Sequence, residues 1–360
     1  MTKSKRALLT ALMGFILVVP APLALLSCGM GVRSGPAAGV STPSMGLFQQ
    51  VTAGYEHACA LRSDSVVICW GCMGHGMLTP PPDFFSQIDA GDTYTCGVTK
   101  DGSVACWGRC EGALHTKFMA DRCSPPEGKF KQVSAGTYFT CGLREDDTVS
   151  CWGAASFSVS AASGKLVQVE VGHVSICLLS DEGKSRCLGS EEAGFRAPAQ
   201  SFTMLSANQM NVCGVTKGGK AVCWGHGEKD GEDELQALDI TVTAGTFKSA
   251  SEIDPFINKF EIKHILHGTQ LQRKTMVEKH ALNQPPDEPL TQVATGVLHG
   301  CGILDDGTAA CWGYCENGEC DPPPNTFSQI STGNLFTCGV KTNGALACWG
   351  WDTCGKCSPP

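Results

Sequence analysis

Fourteen of the 22 cysteines form seven pairs, and the two members of each pair are ten positions apart. The pairs are Cys59/Cys69, Cys96/Cys106, Cys141/Cys151, Cys177/Cys187, Cys213/Cys223, Cys301/Cys311 and Cys338/Cys348. Paired thiols of this kind either form disulfides or stay reduced as small buried apolar side chains. The choice depends on the elements that position them and on the compartment in which the protein folds.

The sequence between two paired cysteines predicts a β-hairpin. In the second pair, a three-residue turn at Lys100-Asp101-Gly102 places Cys96 directly opposite Cys106. A non-hydrogen-bonded antiparallel pair brings its Cα atoms to about 4.5 Å, which is within the range of a disulfide. The same register holds in all seven copies, so we predict seven disulfides that each close one hairpin.

The remaining cysteines lie mostly in the connections between hairpins. Three connections end in Cys-[Ser/Asp]-Pro-Pro, and we predict three loop-closing bridges: Cys110–Cys123, Cys315–Cys320 and Cys354–Cys357. Cys72 is then left over, as a free thiol or in an intermolecular bond. The Cys354-x-x-Cys357 spacing also occurs in redox and zinc sites, but Ser-Pro-Pro follows it and no second such motif exists, so we predict neither chemistry.

Other catalytic or ligand-binding patterns are weak. His264, His267 and His280 lack a suitably spaced carboxylate or cysteine, and we interpret them as solvated polar residues. Asp101-Gly102 and Asp306-Gly307 are typical of hairpin turns rather than calcium loops. Phosphate-binding loops, nucleophile elbows and HExxH motifs are absent from the sequence. We therefore predict no catalytic residue, no metal and no cofactor.

The paired cysteines belong to a repeat that covers most of the chain. The copies occupy 48–71, 85–108, 130–153, 166–189, 202–225, 290–313 and 327–350. Each copy contains short alternating apolar segments separated by glycine and Asp-Gly-type turns, which is typical of a small antiparallel sheet. Sheets repeated around a circle form a β-propeller, so the sequence predicts an all-β protein.

The repeat pattern F-x-Q-[VI]-x-A-G…C-x-[LV]-x-x-D-G-x-[VA]-x-C-W-G resembles that of the regulator of chromosome condensation family and its alpha-tubulin-suppressor-like bacterial relatives. The resemblance implies a seven-bladed β-propeller, in agreement with the seven copies. Relatives in this family include a nucleotide-exchange factor for a small GTPase, a plant UV-B receptor and a secreted bacterial inhibitor of β-lactamases. The resemblance thus implies binding of a protein partner.

Two regions require separate predictions. The C-terminus stops where other copies begin their next F-x-Q strand, so we expect the strand at Phe48 to complete the blade opened by the last copy. Residues 230–289 interrupt the repeat, and we interpret them as an irregular insertion or a decayed repeat. Val242-Thr243-Ala244-Gly245 is similar to the opening strand of an eighth unit, which leaves eight blades as the alternative.

The tryptophans recur beside the second cysteine of six copies. They could be platforms for sugar stacking, but their fixed placement favours packing in the core. Leu188 stands at the same position in the fourth copy and preserves apolar burial without an aromatic ring, which supports the core interpretation.

The N-terminus carries targeting information. Lys3, Lys5 and Arg6 precede an apolar run that ends at Leu25-Leu26-Ser27-Cys28, and this tetrapeptide resembles the lipobox of bacterial lipoproteins. We predict a signal peptide over 1–27, a lipidated Cys28, a flexible tether over 28–47 and a propeller over 48–360. Ordinary signal cleavage or an uncleaved anchor is the alternative. Export to an oxidising compartment favours disulfides over reduced thiols.

The function predicted from these features is a non-enzymatic, monomeric scaffold for binding a protein, anchored in the bacterial cell envelope through Cys28, on the periplasmic or extracellular side. The net charge of −8 disfavours a nucleic-acid partner. The alternative is an envelope propeller that binds carbohydrate or cleaves polysaccharide. Tyr314 and Trp351 are the candidate sugar-binding aromatics, and a carboxylate pair in the central channel would indicate cleavage. A nucleotide-exchange regulator is a further alternative, but a small GTPase would be in another compartment.

Overall fold

A computed structural model of the chain describes residues 47–74, 76–110, 121–154, 156–172, 175–189, 197–208, 211–225, 240–245 and 284–360. These residues form seven antiparallel sheets, one from each repeat, arranged as a seven-bladed β-propeller. The described ranges contain no helix, and none of their segments is a helix that could cross a membrane. The signal peptide, Cys28, His264, His267 and His280 lie outside the described residues.

Each blade is built from an inner, a middle and an outer strand. The inner strands are β1 (Phe48–Ala53), β4 (Phe85–Ala90), β7 (Phe130–Ala135), β11 (Leu166–Val171), β14 (Phe202–Ala207), β18 (Leu290–Thr295) and β21 (Phe327–Thr332). The middle strands are β2 (His57–Arg62), β5 (Tyr94–Thr99), β8 (Phe139–Arg144), β12 (Ser175–Ser180), β15 (Asn211–Thr216), β19 (His299–Leu304) and β22 (Phe336–Lys341). The outer strands are β3 (Val67–Gly71), β6 (Val104–Gly108), β9 (Val149–Gly153), β13 (Ser185–Gly189), β16 (Ala221–Gly225), β20 (Ala309–Gly313) and β23 (Leu346–Gly350).

The hairpin between the middle and outer strands has the register expected from its turn. Thr99 N donates to Ser103 O, and Gly102 takes the left-handed conformation with φ of +87°. Cys96 therefore lies opposite Cys106 and forms a disulfide with it, with a Cα–Cα distance of 4.0 Å.

The other six hairpins are closed in the same way, each by a disulfide with a Cα–Cα distance of 4.0 Å. These disulfides are Cys59–Cys69, Cys141–Cys151, Cys177–Cys187, Cys213–Cys223, Cys301–Cys311 and Cys338–Cys348. The two cysteines of each pair are direct cross-strand partners in the hairpin register. The structure thus contains all seven hairpin disulfides that the spacing predicts.

The apolar core lies between neighbouring blades rather than in one central mass. In a typical interface, Cys59 and Leu61 of blade 1 pack against Phe85, Ile88 and Trp107 of blade 2. The six repeat tryptophans are at most 7% exposed, and Leu188 is fully buried at the equivalent position. The prediction that these residues are core side chains is confirmed.

The ring closes by the same packing that joins the other blades. Phe48, Val51 and Trp70 of blade 1 pack against Cys338 and Val340 of blade 7. However, β1 pairs with β2 of its own repeat and not with the last blade, so that part of the prediction was wrong. Each repeat forms a complete three-stranded sheet, which makes the blade boundary coincide with the repeat boundary.

The third blade is larger than the others because two additional strands extend its outer edge. β10 (Phe157–Ala161) pairs with β9, and β17 (Ile240–Gly245) then pairs with β10. β17 contains the segment that sequence analysis considered as the start of an eighth blade. That alternative is wrong for the described residues, because the strand joins an existing sheet through backbone hydrogen bonds instead of founding a new one.

Candidate functional site: the central channel and the connector face

The seven inner strands surround a central channel with a cavity of about 170 Å³. Their fifth residues contribute a polar ring to its wall: Thr52, Asp89, Ser134, Glu170, Ser206, Ala294 and Ser331. A register shift after the first residue of each inner strand explains this arrangement, because it lets the first and fourth residues both be buried between blades while the fifth faces the channel. The fifth residue is therefore the one that the sequence can vary to change the chemistry of the channel.

In six of the seven blades, a glutamine at the third position of the inner strand joins the blade to the next one. Gln50 Nε2 donates to Ile88 O at 2.8 Å, and Ile88 N donates to Gln50 Oε1 at 3.0 Å. A side-chain amide thus replaces a backbone amide where two adjacent inner strands are too far apart to pair. The same bridge is made by Gln87, Gln132, Gln168, Gln292 and Gln329.

The polar ring of fifth residues makes a second set of bridges. Thr52 Oγ1 accepts a hydrogen bond from Ala90 N at 2.8 Å, and Ser331 Oγ accepts one from Ala53 N at 3.0 Å. Asp89 fulfils the same role with a carboxylate, because its Oδ2 accepts from Ala135 N at 2.8 Å. Each side chain satisfies a backbone donor that faces the channel and would otherwise be left unpaired.

Asp89 and Glu170 are the two carboxyl groups of the channel ring. Burial is the main cause that raises the pKa of Asp89 to about 6. Burial and, secondarily, the charge of Asp89 raise the pKa of Glu170 to about 8, against a hydrogen bond from Gln168 Nε2 to Glu170 Oε1 at 2.9 Å. At neutral pH the channel therefore carries one mainly ionised and one mainly protonated carboxyl group.

Sequence analysis named no residues for a carboxylate pair in the channel and so missed these two carboxyl groups. The signal was present at the fifth position of the F-x-Q strand, where Asp89 and Glu170 replace a small hydroxyl residue. Reading that column across the seven repeats would have placed both residues in one ring.

Two residues interrupt these sets of bridges, Met204 in blade 5 and Ala294 in blade 6. Met204 stands where a bridging glutamine occurs in the other blades, so the junction between blades 5 and 6 lacks that bridge. There, Ser206 Oγ accepts from Thr295 N at 3.0 Å, and Asn208 Nδ2 donates to Thr295 O at 2.9 Å. Ala294 stands at the fifth position of blade 6 and has no oxygen to offer to blade 7.

Glycine backbones form the rim at one end of the channel. A Cβ on Gly54 would lie 2.5 Å from Gly91 O, and a Cβ on Gly91 would lie 2.6 Å from Gly136 O. The Ala-Gly element of the repeat is therefore required for the close approach of neighbouring loops. The loop residues that follow, including Asp92 and Asn334, also line the cavity.

The segments that connect successive blades leave from this same end of the channel. Cys72 N donates to Glu56 O, and Tyr314 N donates to Leu298 O, so each connector starts beside an inner-loop residue of its own blade. We call this side of the disc the connector face. Two of its connectors are closed by the predicted disulfides Cys110–Cys123 and Cys315–Cys320.

A third disulfide on the connector face differs from the prediction. Cys72 bonds to Cys354, so Cys72 is not a free thiol and the predicted Cys354–Cys357 bridge was wrong. When the repeats are aligned on their tryptophans, Asp352 occupies the position that Cys110 and Cys315 hold in their repeats. Asp352 Oδ1 accepts a hydrogen bond from Cys357 N. Cys357 has a buried thiol whose Sγ lies 3.6 Å from Gly350 O.

The Cys72–Cys354 bond links the first and last blades. Trp70 Nε1 also donates to Lys356 O at 2.9 Å, as Trp152 Nε1 does to Arg122 O. The C-terminal tail is therefore the connector from blade 7 to blade 1, although the chain ends within it. We call the junction of blades 7 and 1 the seam.

Three of the seven exposed large apolar side chains of the described residues lie on the connector face at the seam. Met73 is 90% exposed beside Cys72, Trp351 is 46% exposed near Cys354, and Tyr55 is 39% exposed in the adjacent loop. The Lys356 ammonium lies 5.7 Å from the centre of the Trp351 ring. Tyr314, the other aromatic residue proposed for sugar binding, donates its hydroxyl to Glu316 Oε2 and lies in the connector from blade 6 to blade 7.

Comparison with known proteins agrees with the repeat. The family model for the regulator of chromosome condensation (RCC1) repeat matches residues 48–76, 85–109, 130–158 and 327–356. The chain carries RCC1 repeats. The three copies over 166–225 and 290–313 fall outside those matches, but each forms the same three-stranded blade. No curated protein matches the chain in sequence.

Solved structures with a similar fold include proteins from plants and yeast. The CRINKLY WD40 ectodomain of the Arabidopsis thaliana receptor kinase ACR4 has a TM-score of 0.59 and 24% identity, over 85% of this chain and 96% of that one. The ectodomain of the Physcomitrella patens receptor kinase CR4 has a TM-score of 0.58 and 20% identity, over 85% and 74%. Prp20p of Saccharomyces cerevisiae has a TM-score of 0.55 and 14% identity, over 86% and 84%. At these identities, the RCC1-type propeller fold is what is shared.

Proposed function

We propose that the protein is a non-enzymatic scaffold that binds a protein partner on its connector face, close to the seam. The observation that carries this proposal is the exposure of Met73, Trp351 and Tyr55 around the Cys72–Cys354 bond. Exposed apolar and aromatic side chains held on rigid, cross-linked backbone are typical of binding surfaces, because little conformational entropy is lost on association.

The fold comparisons support a protein partner. Prp20p is described together with binding to Gsp1p and histones, and yeast RCC1 (Prp20) has been solved bound to Kap60. These partners belong to those proteins. What is carried over is the class of function, a propeller that serves as a platform for another protein.

The ten disulfides of the described residues are those of an extracytoplasmic protein. We propose further that Cys28 is lipidated and anchors the propeller to the membrane through the tether over 28–47. The support is the lipobox-like sequence and the apolar run before it. Mass spectrometry of the mature protein should find a diacylated N-terminal cysteine, and an N-terminus at any other residue would contradict the anchor.

The binding proposal is tested by site-specific photo-crosslinking in intact cells. A photoreactive amino acid at Met73 should produce a discrete protein adduct. The control position is Phe84, which is 60% exposed and lies beside the hairpin turns, where Lys100 N donates to its carbonyl. Equal adducts from both positions, or none from Met73, would contradict a partner at the seam.

One observation favours a second function, polysaccharide cleavage. Asp89 and Glu170 lie in the same channel, and the pKa values of about 6 and about 8 would suit a base and an acid near neutral pH. Against it, a cavity of about 170 Å³ is smaller than the sites of about 300 Å³ or more that hold larger ligands. Release of reducing sugar from envelope glycan, lost in Glu170→Gln, would reverse our preference.

A further inference from the structure

The channel has an acidic wall with no cationic side chain beside it among the described lining residues. Asp89 and Glu170 flank Ser134 on three consecutive blades, and all three residues line the cavity. Lysine, arginine and histidine are absent from the described residues that line it. Both carboxyl groups are only half-buried, so a ligand in the channel can reach them.

A second feature lies on the opposite side of the ring, where blades 6 and 7 meet. Thr332 lines the same cavity and is only 5% exposed, yet its Oγ1 has no hydrogen-bond partner among the described residues. The equivalent Thr295 Oγ1 pairs with Ser206 Oγ at 3.1 Å. Thr332 lacks this contact because the fifth residue of blade 6 is Ala294. A buried hydroxyl without a partner carries a free-energy penalty that a ligand can remove.

We propose that the channel binds a primary ammonium group on a short aliphatic chain, with the ammonium between Asp89 and Glu170. An ammonium has three N–H donors and a positive charge, which complement a carboxylate wall interspersed with hydroxyl groups. The chain leads away from the acidic wall, and a polar group at its far end contacts Thr332 Oγ1. Ala294 leaves room for the aliphatic part.

The size and the entrance of the channel fit such a ligand. A cavity of about 170 Å³ is large enough for a four- or five-carbon amine. Loop residues of the connector face line the cavity, so a ligand can enter from that side. The amine has two possible sources, a free diamine or a lysine side chain inserted by a protein, and their recognition chemistry is the same. The site does not depend on the partner proposed above, because a free amine is sufficient.

The test is isothermal titration calorimetry of the full mature chain with 1,4-diaminobutane at neutral pH. Because the pKa of Glu170 is raised to about 8, binding of a cation must ionise it. We expect net proton release, measured as a dependence of the heat on the ionisation enthalpy of the buffer. Glu170→Gln should weaken binding at least tenfold and abolish that dependence. Glu182→Gln, the same change at an exposed hairpin turn, should leave both unchanged.

Thr332→Val keeps the acidic wall and fills the same volume, so it tests the site even if Glu170→Gln were to destabilise the fold. It should weaken 1,4-diaminobutane severalfold and n-butylamine hardly at all, because only the diamine has a second polar group. Saturable binding of N-acetyl-lysine-N-methylamide, but not of its norleucine analogue, would identify a lysine side chain as a source. Absence of diamine binding, equal affinity in Glu170→Gln, or displacement by calcium chloride at equimolar concentration would overturn the proposal.

Discussion

The two junctions that matter most for the ring are the seam and the junction of blades 5 and 6. The seam has no continuous chain, yet it has the full set of contacts: Gln329 bridges to Val51 at 2.7 and 3.0 Å, and Cys72–Cys354 bonds the two blades covalently. The junction of blades 5 and 6 is continuous in sequence but has Met204 in place of the bridging glutamine. Covalent continuity and strength of contact are therefore separate properties in this propeller.

The difference in contacts between the two junctions follows from how the chain connects the blades at each of them. Blades 7 and 1 can separate without stretching the chain, so only non-covalent contacts and a disulfide prevent the ring from opening. Blades 5 and 6 are joined by the segment 226–289, whose β17 is held on blade 3. The loss of one bridge at that junction is tolerated, because the neighbouring contacts of Ser206 and Asn208 to Thr295 remain.

Removal of the seam disulfide should have the largest effect on stability. Cys72 and Cys354 are 282 positions apart, and in the chain-entropy model a loop of that size contributes about 5 kcal/mol. The double variant Cys72→Ser/Cys354→Ser should therefore lower the free energy of unfolding by several kcal/mol in denaturant titrations. The matched control is Cys315→Ser/Cys320→Ser, which opens a loop of five positions and should cost about 2 kcal/mol. Equal losses of unfolding free energy in the two double variants would show that the seam disulfide stabilises the fold no more than a disulfide that closes a short loop.

Replacing the bridging glutamine of the seam by methionine, the residue found at the junction of blades 5 and 6, should have the next largest effect on stability. Gln329→Met leaves Val51 N and Val51 O without their partner, which we expect to cost about 2 kcal/mol. Chemical unfolding of the variant with the disulfide intact measures this loss. If the variant retained full stability, the glutamine bridges would be incidental to the ring.

The reverse substitution, of methionine by glutamine at the junction of blades 5 and 6, should increase stability. Met204→Gln offers an amide to the inner strand of blade 6, as Gln292 does to Ile330 of blade 7. We expect a gain of about 1 kcal/mol in the free energy of unfolding. A loss of stability in this variant would indicate that the apolar contacts of Met204 with blade 6 outweigh a bridge.

The last prediction concerns the pH dependence of stability rather than stability at one pH. The pKa of Glu170 in the folded protein, about 8, lies above its ordinary value of 4.5. The folded state therefore binds more protons than the unfolded state between these values, and stability falls as the pH rises from about 4.5 to about 8. Glu170→Gln should flatten this part of the profile in thermal melts from pH 5 to 9. Ser331→Ala, on blade 7, removes the acceptor of Ala53 N and should shift the profile downward without changing its slope.

The sequence was sufficient to predict the blades, because alternation, turn residues and seven paired cysteines all specify the same hairpin. The cross-links within repeats follow from local register, as at Cys96 and Cys106. The bond between Cys72 and Cys354 depends on the meeting of the two chain ends, which no local pattern encodes. The position of β17 on blade 3 is likewise a long-range pairing that its own residues do not specify.

The candidate site was harder to predict for a related reason. Asp89 and Glu170 are far apart in sequence, and each is surrounded by apolar residues typical of a strand. Only the circular arrangement of the blades brings the fifth residues together. Thr332 is a still weaker signal, because its unpaired hydroxyl results from an alanine in the preceding repeat.

The claim on which this account most depends is that the first and the last blade are joined covalently to close the ring. Non-reducing peptide mapping of the mature protein by mass spectrometry tests it directly. We predict a linked peptide pair that contains Cys72 and Cys354. A peptide in which Cys354 is bonded to Cys357, with Cys72 recovered as a thiol, would contradict the account.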